Sequence, residues 1–213
     1  MAKQVAHEIK NPLTPMKLSL QHLRQTYIDR VANFEQVFDS VSTTIIEQIE
    51  TLSRIASEFA HFARMPRPTL EALNMNEVLM ESVHLFEQDG TVQFETTLDE
   101  HLPPVKADRE ELRRGFINII RNGVQAMNNS GRMTIRSWSR NGFAFVAVRD
   151  HGIGMSDEVK SRLFQPNFST KTDGMGLGLA ITKKSIDDAG GAITVDSTEG
   201  EGTIVTVAFP IQS

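Results

Sequence analysis

The 213-residue chain contains no cysteine. Disulfides and thiolate metal sites are therefore excluded, and a reducing compartment such as the cytoplasm is the matching setting. No apolar run approaches the roughly 18 residues that a membrane-spanning helix needs, and no signal-peptide pattern opens the chain. Basic residues are in deficit: 22 Lys and Arg against 27 Asp and Glu leave a formal charge of -5. That balance gives no footing for a nucleic-acid surface, and no nucleic-acid partner is expected. Internal repeats and low-complexity segments are missing, and no Gly-Lys pair occurs, so there is no P-loop. What is left, 39% hydrophobic and 23% charged residues, is the make-up of an ordinary globular protein with one large or two small cores.

Two helical stripes open the chain. Val5, Ile9, Leu13, Met16, Leu20, Leu23 and Tyr27 recur at spacings of three and four. Phe38, Val41, Ile45, Leu52, Ala56, Phe59 and Ala63 repeat the pattern after a polar break at residues 29–33. The pattern predicts an antiparallel helical hairpin over residues 1–64. A lone hairpin cannot cover two stripes of this length, so pairing of two copies into a four-helix bundle is expected. The second stripe outruns the first, which leads us to expect further sequence upstream. Arg64-Met65-Pro66-Arg67-Pro68 then breaks the pattern and marks the boundary of a second domain, residues 65–213.

The texture changes there. Helix is predicted over 76–87 and strand over 91–98. Asp108 followed by Glu111 makes a capping-box-like start to a helix running to about residue 128. Strands are predicted over 133–139 and 143–149, joined through the hairpin signal Arg140-Asn141-Gly142. A short helix from Ser156, a helix over 176–189, and strands over 192–197 and 203–209 complete the pattern. Helices grouped with largely antiparallel strands predict an α+β sandwich rather than a doubly wound parallel sheet.

Residues 6–15 read AHEIKNPLTP. His7-Glu8 opens like the zinc motif H-E-x-x-H, but the fifth position is Asn11, a poor zinc ligand. At about 100° per residue, His7 lies roughly 160° from the centre of the apolar stripe, with Asn11 one turn on along the same outward face. Such a face is by default a solvated surface. Pro12 and Pro15 set it apart, because a proline inside a helix removes a hydrogen bond and costs about 3 kcal/mol. A bend made for a purpose is expected.

A second group of signals lies downstream. Asp150-His151-Gly152-Ile153-Gly154 follows a predicted strand: a carboxylate at a strand end, beside glycines, suits a ligand donor such as an adenine amino group, although it is also a respectable turn. Gly174-Met175-Gly176-Leu177-Gly178-Leu179 opens a helix, where exposed N–H groups favour phosphate. Its spacing is not the Rossmann fingerprint, and a flexible helix start would look the same. Asn118, Asn122 and Gln125 share the polar side of the helix that starts at Asp108. Stacked amides can be surface decoration, or neutral oxygen ligands for a Mg²⁺ that already carries phosphates. The run Phe164-Gln165-Pro166-Asn167-Phe168-Ser169-Thr170-Lys171 reads as a polar lid anchored by two rings, or as a plain surface loop.

In this order the segments resemble the boxes of bacterial two-component sensor histidine kinases. AHEIKNPLTP is similar to the H-box, NIIRNGVQAM to the N-box, DHGIG to the G1 box, LFQPNFSTK to the F-box and GMGLGL to the G2 box. The resemblance implies a dimerising phosphotransfer hairpin followed by a Bergerat-type ATP-binding sandwich with a mixed, largely antiparallel sheet. It implies that His7 is phosphorylated from ATP, with Glu8 taking its proton and Asn11 positioning water when the partner is dephosphorylated. It makes Asn122 the Mg²⁺ ligand with Asn118 nearby, Asp150 the acceptor for adenine, and Lys171 a γ-phosphate neighbour. Gly152, Gly154, Gly174, Gly176 and Gly178 would line the nucleotide. The implied partners are a second copy and the receiver domain of a response regulator, with phosphatase activity toward it also admitted. The implied setting is the cytoplasmic side of a membrane-anchored parent, with no membrane contact by this part. Two departures stand out: Gly123 where alanine commonly follows the N-box asparagine, and Gln125 where many members carry a basic residue. Other ATPases of the same sandwich, or a nucleotide-binding dimeric scaffold, are the competing readings.

Overall fold

The computed structural model describes residues 2–64, 68–87, 90–166, 168–170 and 176–212, and for residues 2–8, 54, 58 and 61–64 the backbone alone. The chain divides into two compact units, Met1–Met65 with Asn167–Leu177, and Pro66–Pro166 with Gly178–Ser213.

In the first unit, helices α1 (Ala2–Ile28) and α2 (Phe34–Arg64) pack against each other as a hairpin. The polar break stops α1 because Asp29 and Asn33 favour turns, and Arg30 takes a left-handed φ of 49°. Across the turn Val31 N–H reaches the Thr26 carbonyl at 3.2 Å. The Tyr27 and Phe34 rings lie 5.7 Å apart, and Phe34 and Phe38 6.2 Å apart. α1 runs through both Pro12 and Pro15, and Pro12 is buried. The stripe of α1 is not the hairpin seam as a whole. Met16 and Leu23 are half-buried, whereas Ile9, Leu13, Leu20 and Tyr27 are exposed. A single neighbouring helix can shield only one flank of a stripe this wide.

The second unit is a two-layer sandwich. Its five-stranded sheet has the order β2-β4-β5-β7-β6, built from β2 (Val92–Thr97), β4 (Gly131–Arg140), β5 (Phe143–Asp150), β6 (Ala192–Thr198) and β7 (Gly202–Pro210). Only the β2–β4 pair is parallel. The mixed, largely antiparallel sheet agrees with the expected α+β class. The β4–β5 hairpin closes on Asn141 and Gly142, with φ of 51° and 80°, the left-handed pair that a two-residue turn of this twist demands.

Alternation along the strands assigns the faces. Met133, Ile135 and Ser137 of β4, with Ala144, Val146, Val148 and Asp150 of β5, point inward and are buried. On the outer face Trp138 stacks on Phe145 with ring centroids 5.1 Å apart. Helices α3 (Met75–Glu87), α4 (Arg109–Ala126) and α6 (Gly178–Asp188) lie on the inner side, and the short α5 (Asp157–Arg162) is capped by Ser156. Phe116, Ile119 and Ile120 of α4 meet Val78, Leu79 and Val83 of α3 and the inner sheet residues in one core. Each such side chain contributes about 1.5–3 kcal/mol by leaving water.

Asp108 caps α4 as the sequence signalled. Its Oδ1 accepts the Glu111 N–H at 3.1 Å, and its Oδ2 accepts the Thr69 N–H at 2.8 Å. Sequence reading missed β1 (Glu71–Leu73) and β3 (Val105–Ala107), which pair antiparallel as a small second sheet. Three residues are too few to show an alternation.

Candidate functional site

Three chain segments converge at the inner end of β5. The first is the C-terminal half of α4, the second is the turn after Asp150, and the third is the β6–β7 turn. The Ala126 carbonyl at the end of α4 accepts the Ile153 N–H at 3.2 Å. The Gly200 N–H donates to the Ile153 carbonyl at 2.7 Å. Gly152 lies under Ala126, where an added Cβ would stand 2.5 Å from the Ala126 carbonyl oxygen. Gly154 has φ of 63° and touches the Thr198 backbone, so it needs both the left-handed conformation and the missing side chain.

Asp150 sits at the centre of this convergence and is only 6% exposed. Its Oδ1 accepts the Gly152 N–H at 3.0 Å. The backbone N–H of Thr203, its partner in the β5–β7 register, lies close enough to favour the charged carboxylate. Burial pushes the Asp150 carboxyl above the ordinary carboxylate range. The Gly152 and Thr203 N–H groups and the nearby His151 pull the other way, and burial is the larger effect. A carboxylate with raised proton affinity and an oxygen left over is a strong acceptor for a ligand N–H.

Thr203 was not singled out from sequence, and neither was Ser197. The Ser197 hydroxyl donates to the Gly202 carbonyl at 2.9 Å, and its oxygen lies 2.9 Å from Thr203 Oγ1. Ser197 has one proton, already committed to Gly202, so Thr203 is the donor in that pair. Both hydroxyls are buried. The one local sign was the E-G-E-G turn before Thr203; the pairing with Asp150, 53 positions earlier, is a product of the sheet.

On α4, Asn118 and Asn122 are half-buried and Gln125 is exposed. Asn118 does not face open solvent. Its Nδ2 donates to Thr182 Oγ1 of α6 at 3.1 Å, and Thr182 in turn donates to the Gly178 carbonyl at 2.9 Å. A Cβ on Gly178 would lie 2.6 Å from Asn118 Oδ1, so the glycine lets that amide rest on the start of α6. Asn118 therefore looks onto the start of α6, where sequence placed it simply opposite the apolar face. Phe164 anchors the start of the predicted lid against the core, with Lys183 Nζ 5.7 Å from its ring centre.

Gly176 belongs to the first unit and has φ of 61°, with its α-carbon against the Phe168 backbone. Lys171 and Gly174 lie outside the described residues. His7 and Glu8 are part of α1, but their side chains are outside the description; Asn11, one turn on from His7, is exposed.

Residues 107–213, half of the chain, match the family described as histidine kinase-, DNA gyrase B-, and HSP90-like ATPase. Residues 1–68 match the His Kinase A (phospho-acceptor) domain. The chain belongs to the sensor histidine kinase family. The nitrogen regulation protein NtrY of Azorhizobium caulinodans is 32% identical over 98% of this chain and 28% of that protein. The catalytic domain of histidine kinase ThkA is 31% identical, with a TM-score of 0.60 over 67% of this chain and 95% of that one. The structure of ThkA in complex with response regulator protein TrrA matches at 25% identity and a TM-score of 0.78, over 100% of this chain and 61% of that one. This kinase core spans less than half the length of the curated relatives it matches. Among the described residues no helix is long and apolar enough to cross a membrane.

Proposed function

We propose that this kinase core transfers the γ-phosphoryl group of ATP to His7 and passes it on to an aspartate of a response-regulator receiver domain. The observation that carries the reading is Asp150: a buried carboxylate, held through one oxygen by the Gly152 N–H, with acceptor capacity left over. Such a group fits the exocyclic amine of adenine and repels the carbonyl that guanine carries at the same position. The nucleotide module would be residues 65–213 and the phosphotransfer module residues 1–64.

The chain's own groups divide the work. His7 attacks as a neutral imidazole, a state near-neutral pH permits. A nitrogen–phosphorus bond forms, the bond from phosphorus to the ADP oxygen breaks, and the other ring nitrogen gives its proton to Glu8. Asn11, exposed one turn on, positions water when the partner is dephosphorylated. Asn122 offers a neutral amide oxygen to Mg²⁺, with Asn118 beside it on α4; the ion spreads the charge of the transferring group when bound. No group of three or more His, Asp or Glu side chains suited to a metal exists among the described residues, which fits an ion that arrives with its anionic ligands on the triphosphate. Lys171, Gly174 and Gly176 would meet the phosphates, and Gly152, Gly154 and Gly178 the rest of the nucleotide.

The exposed apolar residues of the hairpin support a dimer of two hairpins; by family resemblance this part of the protein would lie on the cytoplasmic side. Incubation with γ-labelled Mg-ATP, beside a His7→Ala protein, tests the reading. Acid-labile label on His7 that the substitution abolishes is expected. Label that survives the substitution, or rapid ATP hydrolysis with no phosphoenzyme, would mean another ATPase of the same sandwich.

A further inference from the structure

Resting on the reading of Asp150 as the base acceptor, we propose that Gly123 and Met133 form a matched pair that positions that carboxylate. The Met133 methyl takes the space a side chain at 123 would fill, and the bare glycine keeps the ligand-facing oxygen open.

Three observations converge. Met133 and Asp150 are direct partners in the β4–β5 register, and both side chains point inward. α4 crosses over this pair at Gly123. A Cβ on Gly123 would lie 2.6 Å from Met133 Cε, 3.1 Å from Asp150 Cβ and 3.4 Å from Asp150 Oδ2. The first distance requires the far end of the Met133 side chain to shift, and the second requires Asp150 to give by a few tenths of an ångström. The third puts a methyl beside the oxygen that the Gly152 N–H does not occupy.

Backbone conformation does not explain the glycine. Gly123 lies inside α4 and is absent from the positive-φ residues. Glycine inside a helix costs about 1 kcal/mol against alanine, so local propensity opposes it and the space it leaves is the reason that remains. That space is claimed by a fully buried methionine, whose flexible thioether carries its terminal methyl there. Alanine at 123 would force Met133 and Asp150 apart together. Shortening residue 133 by its terminal methyl would make room again.

The test compares wild type, Gly123→Ala, Met133→Leu and the double variant. ADP dissociation constants are measured by calorimetry across pH, and melting temperatures are taken alongside. Gly123→Ala should weaken ADP about tenfold and move the acid limb of binding to higher pH, because the new methyl dries Asp150 Oδ2. Met133→Leu alone should cost less than about threefold, and the double variant should return to within about threefold of wild type. Unchanged ADP binding in Gly123→Ala, or equal losses in the single and double variants, overturns the pairing. If Gly123→Ala does not fold, a folded, ADP-binding double variant supports the pair and an unfolded one defeats it. A wild-type protein blind to ADP would sink the nucleotide reading instead. The four melting temperatures, coupled or additive, would then still decide the packing pair.

Discussion

The two units of this chain solve the problem of apolar surface differently. The sandwich covers one face of its sheet with α3, α4 and α6 and closes a core in which Phe116, Ile120, Met133, Ile135 and Val146 are fully buried. The hairpin buries Pro12, Thr26, Val41 and Ile55, and leaves Ile9, Leu13, Leu20, Phe38, Ile46 and Ile49 in water. One unit is complete as a single chain. The other has the composition of half a core, since clustered exposed apolar residues of this kind mark interaction surfaces. The same protein thus contains one part with a closed core and one part with apolar surface left open.

The comparison breaks most sharply under core truncation. Phe116→Ala should cost the sandwich about 3–5 kcal/mol, read as a fall in its denaturant midpoint. Ile46→Ala should change the stability of an isolated hairpin by no more than about 0.5 kcal/mol. An Ile46 penalty of the size expected for Phe116 in a demonstrably monomeric sample would show that the hairpin has a closed core after all.

Next in size is the open surface. Ile46→Lys together with Ile49→Lys should raise the dimer dissociation constant by at least about tenfold in sedimentation runs, because each buries a charge where the partner expects an apolar contact. ADP affinity of the sandwich should not move. A dimer indifferent to both lysines would place the interface on another flank.

Asp108→Ala should lower sandwich stability by about 1–2 kcal/mol, since it removes the cap on α4 and the bond to Thr69. Thermal melting reads this directly. Loss of well under half that would mean water replaces the carboxylate at both N–H groups.

Asp150 provides a pH signature. Its folded pKa is raised, so its favourable contribution to stability is fully present below the unfolded value of 3.8 and is lost as pH rises through the raised folded value. Asp150→Asn should therefore gain on wild type as pH climbs from acid to neutral, while ADP binding by wild type changes the opposite way and weakens on acidification. Parallel pH curves for the two proteins would contradict the burial argument. Smallest of all, Arg109→Ala breaks an ion pair to Glu81 of 2.6 Å that is largely open to solvent, and should cost between about 0.2 and 1 kcal/mol in chemical denaturation.

Legibility in the sequence followed range. The Asp108 cap, the Asn141-Gly142 turn and the strand alternation are local devices, and each was readable because its cause lies within a few residues. β1 and β3 were not readable, because each is held by a partner more than 30 positions away and neither is long enough to alternate. The same limit applies at the site. Asp150 was visible as a carboxylate at a strand end, but Thr203 reaches it only through the β5–β7 register, and Asn118 meets Thr182 only because α6 packs beside α4. Gly123 was noticed as a departure, yet its meaning depends on Met133, which lies on another element.

The position of β7 in the sheet bears on how the protein is made. β7 is the last of the five sheet strands in chain order, yet it lies between β5 and β6 and carries Thr203 up to Asp150. Until it arrives, β5 has a bare edge, β6 has no neighbour, and Asp150 lacks its Thr203 partner in the register. A chain arrested before residue 203 can therefore hold α4 and the Asp-Gly turn while the segment that completes the convergence around Asp150 is still missing.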